Sequence, residues 1–307
     1  MKLRPAGPGK PQRSAYLFLS PWLLGAGLLT IGPMIASLWL SFTDYDLFDS
    51  PKWVGLRNYR TMFTDDDHFW NALWTTVQFV AIAVPVQLAL ALGVALLLAG
   101  GTRKSRPRRG LGFYRSAFYA PSLLGASVSV ALAWRAMFGG GGAFVRVLGW
   151  FGIHTGSWID QPQYALYSLV ALAVWQFGAP MVIFLAGLKQ IPADLYEAAE
   201  LDGAGPIRRF AAVTVPMLSP VILFNLVLDM IHAFQSFTGA FVVSGGRGGP
   251  SDSTLLYTLY LYQRGFVDFR MGYASAMAWV LLLAIAAVTA VLFRTARGWV
   301  FYAGESR

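Results

Sequence analysis

The sequence predicts an all-α integral membrane protein with six transmembrane helices. Hydrophobic residues make up 56% of the 307-residue chain and charged residues only 13%, which is far more apolar than an average soluble domain. A helix needs about 20 consecutive apolar residues to cross a bilayer, and six stretches meet that requirement. The predicted spans are 16–42, 72–99, 113–137, 164–188, 221–243 and 273–293. We find no internal repeat or separate soluble domain, so residues 1–307 are predicted to form one transmembrane domain.

The first predicted span is expected to remain in the protein. Its apolar run is longer than the 7–15 residues of a signal-peptide core, and no convincing cleavage site follows it. Aromatic residues that suit membrane interfaces flank the first two spans. They include Tyr16, Trp22, Trp70 and Trp74.

The distribution of Lys and Arg predicts that both termini face the cytoplasm. Most of the 24 Lys and Arg residues lie in four places: the N-terminus, the connection at 100–112, the connection at 189–218 and the C-terminus. Cytoplasmic loops retain such residues. The first connection carries Asp65, Asp66 and Asp67 and is predicted to be external.

The composition argues against several other kinds of site. The net charge of +9 is explained by this topology, so we expect no binding of nucleic acid. The chain has no cysteine, which excludes disulfides, Fe–S clusters and thiolate metal sites. His68 and His154 have no second ligand at metal spacing and are expected to be solvated surface residues.

The connection at 189–218 carries a helix–turn–helix pattern. Pro192 suits the start of a short helix, where its missing N–H costs little, and Glu197 suits the positive end of that helix. Gly203 can end the helix in a left-handed conformation. A second short helix is predicted to restart at Pro206, and each helix is too short to cross a bilayer.

The spacing within this connection closely resembles the EAA loop of the permease subunits of binding-protein-dependent ABC importers. The resemblance is carried by Glu197, Ala198, Ala199, Leu201, Asp202, Gly203 and Pro216. The family usually has isoleucine and leucine where this chain has Val213 and Val215, which keep the shape and polarity. The resemblance implies a cytoplasmic loop that couples an ATPase subunit to the spans. An ordinary amphipathic interfacial helix is the alternative, because Ala, Leu and Glu are simply good helix formers.

The start of the chain resembles one branch of these permeases, related to the maltose and glycerol-3-phosphate permeases. The matching residues are Trp39-x-Ser41-Phe42-Thr43-Asp44-Tyr45 and Trp53-Val54-Gly55-Leu56-x-Asn58-Tyr59. The resemblance implies a type I ABC importer fold in the bacterial cell membrane. It also implies a second, homologous permease, two copies of a cytoplasmic ATPase subunit, an extracytoplasmic sugar-binding protein and a carbohydrate substrate.

The chain itself is not expected to hydrolyse ATP. A Walker A loop requires G-x4-G-K-[ST] to hold phosphate, and the nearest string, Gly100-Gly101-Thr102-Arg103-Lys104-Ser105, lacks the Gly-Lys pair. We therefore predict that this chain has no cofactor of its own and that ATP and Mg²⁺ are bound by partner subunits.

Polar residues within the fourth and fifth spans suggest a path for the substrate, because such residues are costly inside a membrane. A sugar is bound by an aromatic ring against its C–H face and by amides or carboxylates on its hydroxyls. Helical spacing places one set of candidates on a single face of the fourth span: Leu172, Trp175, Gln176 and Ala179. A similar stripe follows the fifth span: Asn225, Asp229, His232 and Ser236.

Other functions of these residues remain open at this stage. Trp175 and Gln176 could serve helix packing, and Asp229 with His232 could form a structural pair. The same pair could relay protons in an ion-coupled secondary transporter, although that class does not require an EAA loop. Ser127 with His232 could be imagined as a protease dyad, but the sequence shows no oxyanion hole.

Two glycine-rich stretches are predicted to be flexible external loops. They are Gly139–Gly142 and the stretch from Gly245 to Pro250. The second lies where a docked binding protein could touch it.

Overall fold

The computed structural model describes residues 13–99, 110–125 and 127–301. Most of the basic residues used to predict orientation in the N-terminus and in the second connection, and the Walker-like string, lie outside these ranges. The α-helices are α1 (Arg13–Gly25), α2 (Gly32–Leu40), α3 (Arg57–Thr64), α4 (Asp67–Ala99), α5 (Leu111–Leu124), α6 (Val128–Phe138), α7 (Ala143–Trp150), α8 (Pro162–Trp175), α9 (Gly178–Gln190), α10 (Ala193–Leu201), α11 (Pro206–Arg209), α12 (Val215–Phe234), α13 (Thr238–Val243), α14 (Tyr257–Tyr262) and α15 (Met271–Trp299). Strands β1 (Thr43–Asp44) and β2 (Lys52–Trp53) pair antiparallel.

The chain forms two compact units. Of the described residues, one unit contains those from 13 to 64 together with Arg264–Val280, and the other contains those from 65 to 263 together with those from 281 to 301. By length and apolarity, five helices within the described ranges can cross a membrane, and six can do so if the bent pair α8 and α9 counts as one span. The fold is therefore the helical membrane fold that the composition predicts.

In the first unit, α1 and α2 are joined by a π-helical turn, Ala26–Ile31. The Gly32 N–H donates to the carbonyl of Gly27, five residues earlier. Pro33 follows immediately. A proline has no N–H and its ring crowds the preceding helical turn. The π-helical turn is wider than an α-helical one and gives the ring more room. The apolar side chains of this helix, such as Leu28 and Leu29, are exposed, as expected for a surface that faces lipid.

The motif residues of the first connection hold a small hairpin together. Asn58 donates through Nδ2 to the carbonyls of Ser41 and Thr43, each at 2.9 Å, and the Tyr59 hydroxyl donates to Ser41 Oγ at 2.8 Å. A Cβ at position 272 would collide with the Thr43 carbonyl, so Gly272 permits this close approach. The resemblance in this segment therefore has a structural basis.

The turn of the same hairpin is built around Asp46. Its Oδ1 accepts the backbone N–H of Asp49 at 2.9 Å and that of Phe48 at 3.1 Å. These bonds, that of Asp49 first, lower the pKa of the Asp46 carboxyl, because they stabilise its charged form.

The predicted third span is divided in the structure. The stretch 113–137 was expected to be continuous, but α5 ends at Gly125, whose φ of +57° and ψ of −165° suit glycine far better than other residues. Ser127 then begins α6 by accepting the Val130 N–H on its side chain. The helical stretch long enough to cross a membrane here is Val128–Trp150.

The fourth predicted span is bent by 44° between α8 and α9. Pro180 has no N–H to offer the carbonyl of Gln176, so the regular helical ladder cannot pass this point. Gly178 contacts the neighbouring α5 closely, since a Cβ there would lie 2.5 Å from the Phe118 carbonyl oxygen. Both residues favour a break in the helix.

The core of the second unit lies where α4, α9 and α12 meet. Ala91 and Ala95 on α4 are fully buried against Phe184 of α9 and Leu218 of α12. Small residues let helix backbones approach closely, which compensates for the absence of a hydrophobic driving force in lipid. Gly187 serves the same purpose on α9, since a Cβ there would lie 2.9 Å from the side chains of α12.

The glycine-rich stretch from Gly245 to Pro250, predicted to be a flexible external loop, forms hydrogen-bonded turns in the structure. The Gly248 N–H donates to Ser244 Oγ at 3.1 Å, and Gln263 donates to the Gly246 carbonyl at 2.9 Å. The first glycine run, Gly139–Gly142, is also a tight turn, in which the Gly142 N–H donates to the Gly139 carbonyl. Positive φ angles at Gly245, Gly246, Gly248 and Gly249, and at Gly141 in the first run, allow these compact turns.

His68 is exposed at the surface, as expected, and it also contacts Asp252. Its Nδ1 lies 2.9 Å from Asp252 Oδ2, so it ties the start of α4 to the loop that follows α13. Asn71 donates to the Asp252 carbonyl at 3.4 Å. These contacts further order the loop, although the His68 side chain remains 61% exposed.

Candidate functional site

The EAA-like segment forms the short helix α10, which the structure ends with a specific turn. Pro192 precedes the helix. At its C-terminus the Gly203 N–H donates to the Glu200 carbonyl and the Ala204 N–H to the Ala199 carbonyl. This pair of bonds, with φ of +75° at Gly203, is the Schellman motif, which satisfies the last carbonyls of a helix.

One side of α10 faces away from the rest of the protein. Leu201 is 89% exposed, and Glu197, Ala198, Asp202 and Gly203 are exposed as well, whereas Ala199 is partly buried. This side of α10, with one exposed leucine and several acidic residues, is accessible to other molecules.

The other side of α10 is attached to the helix that follows. The hydroxyls of Tyr196 and Thr214 form a hydrogen bond of 2.9 Å, and Glu200 forms an ion pair with Arg209 at 3.2 Å. Both bonds join α10 to the same continuous stretch of helix. These two bonds attach α10 to the start of the long fifth helix.

The second short helix predicted at Pro206 is instead the start of the long fifth helix. From α11 the chain passes through a π-helical turn, Phe210–Thr214, and continues as α12. The Val215 N–H donates to the carbonyl of Phe210, and Pro216 comes next, as in the arrangement before Pro33. The wide turn lets the helix continue through the proline, so Pro216 lies within a helix rather than at its start.

A second candidate site is a cavity of about 460 Å³ between helices of the second unit. We call it the polar cavity. Five of the residues predicted to line a substrate path line it: Gln176, Ala179, Asp229, His232 and Ser236. They come from the α8–α9 break and the end of α12, so the two segments on either side of the EAA-like segment meet here.

The other three predicted path residues do not line the polar cavity. Leu172 is buried against Ala131 and Val242. Trp175 packs on Trp134, with ring centroids 5.8 Å apart. Regular helical spacing would place Leu172 and Trp175 on the same face as Gln176. Because α8 ends at Trp175, that face does not continue through Gln176.

Asn225 is the third predicted residue that lies elsewhere. It is buried one turn before Asp229, and its Nδ2 has no hydrogen-bond partner within the described residues. It is absent from the lining of the polar cavity. Of the stripe predicted along the fifth span, Asp229, His232 and Ser236 line the polar cavity and Asn225 does not.

Several polar-cavity residues were missed by sequence reasoning. Gln87, Ser122, Gln235 and Thr238 add polar groups, and Phe79 and Phe237 add aromatic rings. Gln87 could have been found, because it is the single polar residue between Phe79 and Ala99. Phe237 gave no such signal, because its position depends on where the chain leaves α12.

The chemistry of the polar cavity suits a ligand with many hydroxyl groups. Asp229 Oδ2 is buried and has no partner within the described residues, and Gln176 bonds through Nε2 only to the Leu172 carbonyl, at 3.4 Å. Both side chains thus retain capacity to bind a ligand. Among the described lining residues, Asp229 is the single carboxylate, and neither Lys nor Arg is present.

An aromatic ring is also available at the polar cavity. Phe237 packs against Phe241 and Tyr262, with ring centroids 5.3 and 5.2 Å away. This support fixes the ring in place. Phe237 can therefore offer the apolar surface that the sequence analysis assigned to Trp175.

Comparison with known proteins gives consistent results. Residues 68–298 match the family described as "Binding-protein-dependent transport system inner membrane component". The chain is 48% identical to the "Probable ABC transporter permease protein YesP" of Bacillus subtilis (strain 168), over 95% of this chain and 93% of that protein. It is 30% identical to the "Probable starch degradation products transport system permease protein AmyD" of Thermoanaerobacterium thermosulfurigenes, over 90% and 91% of the two chains.

The fold matches that of a solved transporter. A chain in the crystal structure of a bacterial ABC transporter "involved in the import of the acidic polysaccharide alginate" superposes with a TM-score of 0.77. The match covers 93% of this chain and 95% of that chain, at 19% sequence identity.

Proposed function

This chain belongs to the family of binding-protein-dependent transport system inner membrane components, and on that premise we propose that it is a permease subunit of an ATP-driven carbohydrate importer in the bacterial inner membrane. One observation carries the proposal: the exposed helix α10 lies between α9 and α12, and the opposite ends of these helices border the polar cavity. A surface for a partner and a cavity for a ligand are thus joined by two helices.

The proposed coupling uses the stiffness of these helices. With a rise of 1.5 Å per residue, α9 and the part of α12 up to Asp229 are each about 20 Å long. Their tight contact through Gly187 and Leu218 makes them move together. When ATPase subunits close and push α10, both ends of the pair shift, and the polar cavity can open to alternate sides.

The proposed substrate site is the polar cavity. Gln176 and Asp229 would bind substrate hydroxyls, while Phe237 would support the C–H face of a sugar ring. The starch-product permease AmyD supports the carbohydrate class through its sequence similarity. His232 and Ser236 line the same space and can add hydrogen bonds of either polarity.

The proposed partners follow from the family. A second permease would complete the path, and two copies of an ATPase subunit would bind ATP and Mg²⁺ and contact α10. An extracytoplasmic binding protein would deliver the sugar. The exposed surface of α10, with Leu201 and Glu197, supports the ATPase contact most directly.

The energy source tests the proposal against an ion-coupled secondary transporter, in which Asp229 and His232 would relay protons. The complete importer is reconstituted in proteoliposomes, and uptake of labelled sugar is measured with ATP inside or outside and with a protonophore. We expect uptake to require ATP on the ATPase side and to persist when the proton gradient is collapsed. Uptake that follows the proton gradient without ATP would refute the proposal.

A further inference from the structure

A second cavity lies behind the coupling helix, at the membrane ends of α4 and α9. Its volume is about 480 Å³, and we call it the interfacial cavity. It is lined by the last turns of these helices, by the inner side of α10 and by the start of the long fifth helix. Lys189, Ala193 and Pro206 are exposed, so the cavity opens at the surface of the described structure.

The interfacial cavity combines two cations with an apolar wall. Lys189 and Arg209 line it, and no described Asp or Glu does. The wall contains Leu96, Leu188 and Phe210. Positive charge beside apolar surface fits a ligand that is anionic at one end and apolar at the other.

The two cations keep hydrogen-bond donors that are available to a ligand. Arg209 donates a hydrogen bond through Nη1 to Glu200 Oε2 at 3.2 Å, and the Glu200 side chain is 69% exposed. A guanidinium has five N–H donors, so the contact with Glu200 leaves others available. Lys189 has no ion pair within the described residues.

The position of the interfacial cavity fits the headgroup layer of a membrane. Ala99 and Lys189 lie at the ends of apolar helices that cross the bilayer. Basic side chains at such positions reach the interface and attract anionic lipids of the cytoplasmic leaflet.

We propose that the interfacial cavity binds the phosphate headgroup of an anionic phospholipid, with Lys189 and Arg209 as its cationic contacts and the apolar wall against the lipid's glycerol and acyl chain. This lipid would lie between α10 and the spans. The coupling helix would then rest partly on a lipid, which makes coupling sensitive to membrane composition.

The test counts lipids that remain bound to the purified importer complex. Complexes are extracted, exchanged into phosphatidylcholine with or without added phosphatidylglycerol, and analysed by native mass spectrometry. We expect preferential retention of phosphatidylglycerol by the unmodified complex. Lys189→Gln and Arg209→Gln should each weaken retention roughly fivefold, because a cation near an anionic surface contributes about that factor.

Two control variants make the result specific. Arg208→Gln removes an exposed neighbouring charge that does not line the interfacial cavity and should leave retention unchanged. Glu200→Gln breaks the ion pair with Arg209 but keeps both cations, so retention should persist. The yield of assembled complex identifies any variant that fails to fold, and Lys189→Arg, which keeps the charge, should retain the lipid.

Four results would overturn the proposal. Retention in the Lys189→Gln and Arg209→Gln complexes that equals retention in the unmodified complex would show that the cations bind no lipid. Equal loss in Arg208→Gln would indicate a non-specific basic surface. Binding of inorganic phosphate without a preference for phosphatidylglycerol would assign the site to free phosphate. Loss of the ATPase subunit in Lys189→Gln, with no lipid bound in the unmodified complex, would assign Lys189 to a protein contact.

Discussion

The hydroxyls of Tyr196 and Thr214 lie 2.9 Å apart and join the exposed helix α10 to the helix that leads to the polar cavity. Thr214 is 4% exposed and Tyr196 is half-buried, so the bond is partly buried. It connects the exposed helix α10 to the long fifth helix.

Removing this bond should weaken coupling without unfolding the protein. Tyr196→Phe and Thr214→Val each delete one hydroxyl, and a buried hydrogen bond contributes about 0.5–1.5 kcal/mol net. We expect both variants to lower sugar-stimulated ATP hydrolysis in the assembled importer. In a double-mutant cycle the second substitution should add little to the first. Fully additive losses would show that the two hydroxyls act independently.

Gly203 should tolerate only residues that adopt a left-handed backbone. Its φ is +75°, yet a Cβ there would meet no atom within 4 Å, so the cost of substitution is backbone strain of about 1–2 kcal/mol. Gly203→Val should abolish ATP-driven uptake while leaving the subunit inserted, and Gly203→Asn should retain part of it. Gly205→Ala is the matched control, because Gly205 has a negative φ and open space. Loss of uptake in the control would contradict a conformational role for Gly203.

Glu197 should matter through its charge on the exposed side of α10. By resemblance to the family it meets a basic residue of the ATPase, so Glu197→Ala should reduce ATPase recovery with the complex or its stimulation by sugar. Asp194→Ala changes an acidic residue of the first turn of the same helix and controls for lost helix-dipole stabilisation, about 0.3–1 kcal/mol. Normal recovery and normal stimulation in Glu197→Ala would exclude this contact.

Polar-cavity substitutions should separate substrate binding from packing. Gln176→Leu and Asp229→Leu remove polar groups from a largely apolar setting, so the subunit should still fold. Uptake should fall roughly two- to tenfold in Gln176→Leu and further in Asp229→Leu, since hydrogen bonds to a charged group are stronger. Asn225→Leu is the matched control on α12, because Asn225 lies outside the polar cavity, and it should transport normally.

The informative pair of measurements is uptake and the yield of assembled complex. Lost uptake at full yield supports a substrate role. A parallel loss of both in Asp229→Leu would assign that residue to packing.

Topology can be tested by single-cysteine labelling, because the chain has no cysteine. Ile207 is 84% exposed next to α10, and Phe48 is 78% exposed in the first connection. An impermeant maleimide added to intact spheroplasts should label Phe48→Cys and not Ile207→Cys, and the pattern should reverse in inverted vesicles. Reporters near Asp66 or Gly248 should be external, and those at either terminus or near Arg106 cytoplasmic. The opposite pattern would invert the orientation inferred from Lys and Arg.

The parts of this structure that sequence predicts are those with local causes. The glycine turn after α10 follows from Gly203 and its position, and the long span α4 follows from an apolar run in which Gln87 is the single polar residue between Phe79 and Ala99. The break after Trp175 also had a local signal, because Pro180 removes the N–H that the Gln176 carbonyl needs. The continuous apolar stretch from 164 to 188 predicts a single span despite this proline.

Other parts of the candidate site depend on contacts that are distant in sequence. Trp175 turns towards Trp134 because α6 lies beside it, and no pattern within the fourth span shows that neighbour. Phe237 reaches the polar cavity because the chain leaves α12 at Phe234 and the ring is supported by Tyr262. Periodicity identifies the residues of one helix face, whereas a cavity is made of faces from several helices.

The central claim is that α10 is the contact through which ATPase movement reaches this subunit. Leu201 is 89% exposed on that helix, and Leu201→Cys provides a unique thiol for a photoreactive maleimide. We predict that irradiation of the assembled importer crosslinks this position to the ATPase subunit and stops ATP-driven uptake, whereas the same reagent on Phe48→Cys forms no such crosslink. A complex that is active but yields no crosslink between position 201 and the ATPase would contradict the account.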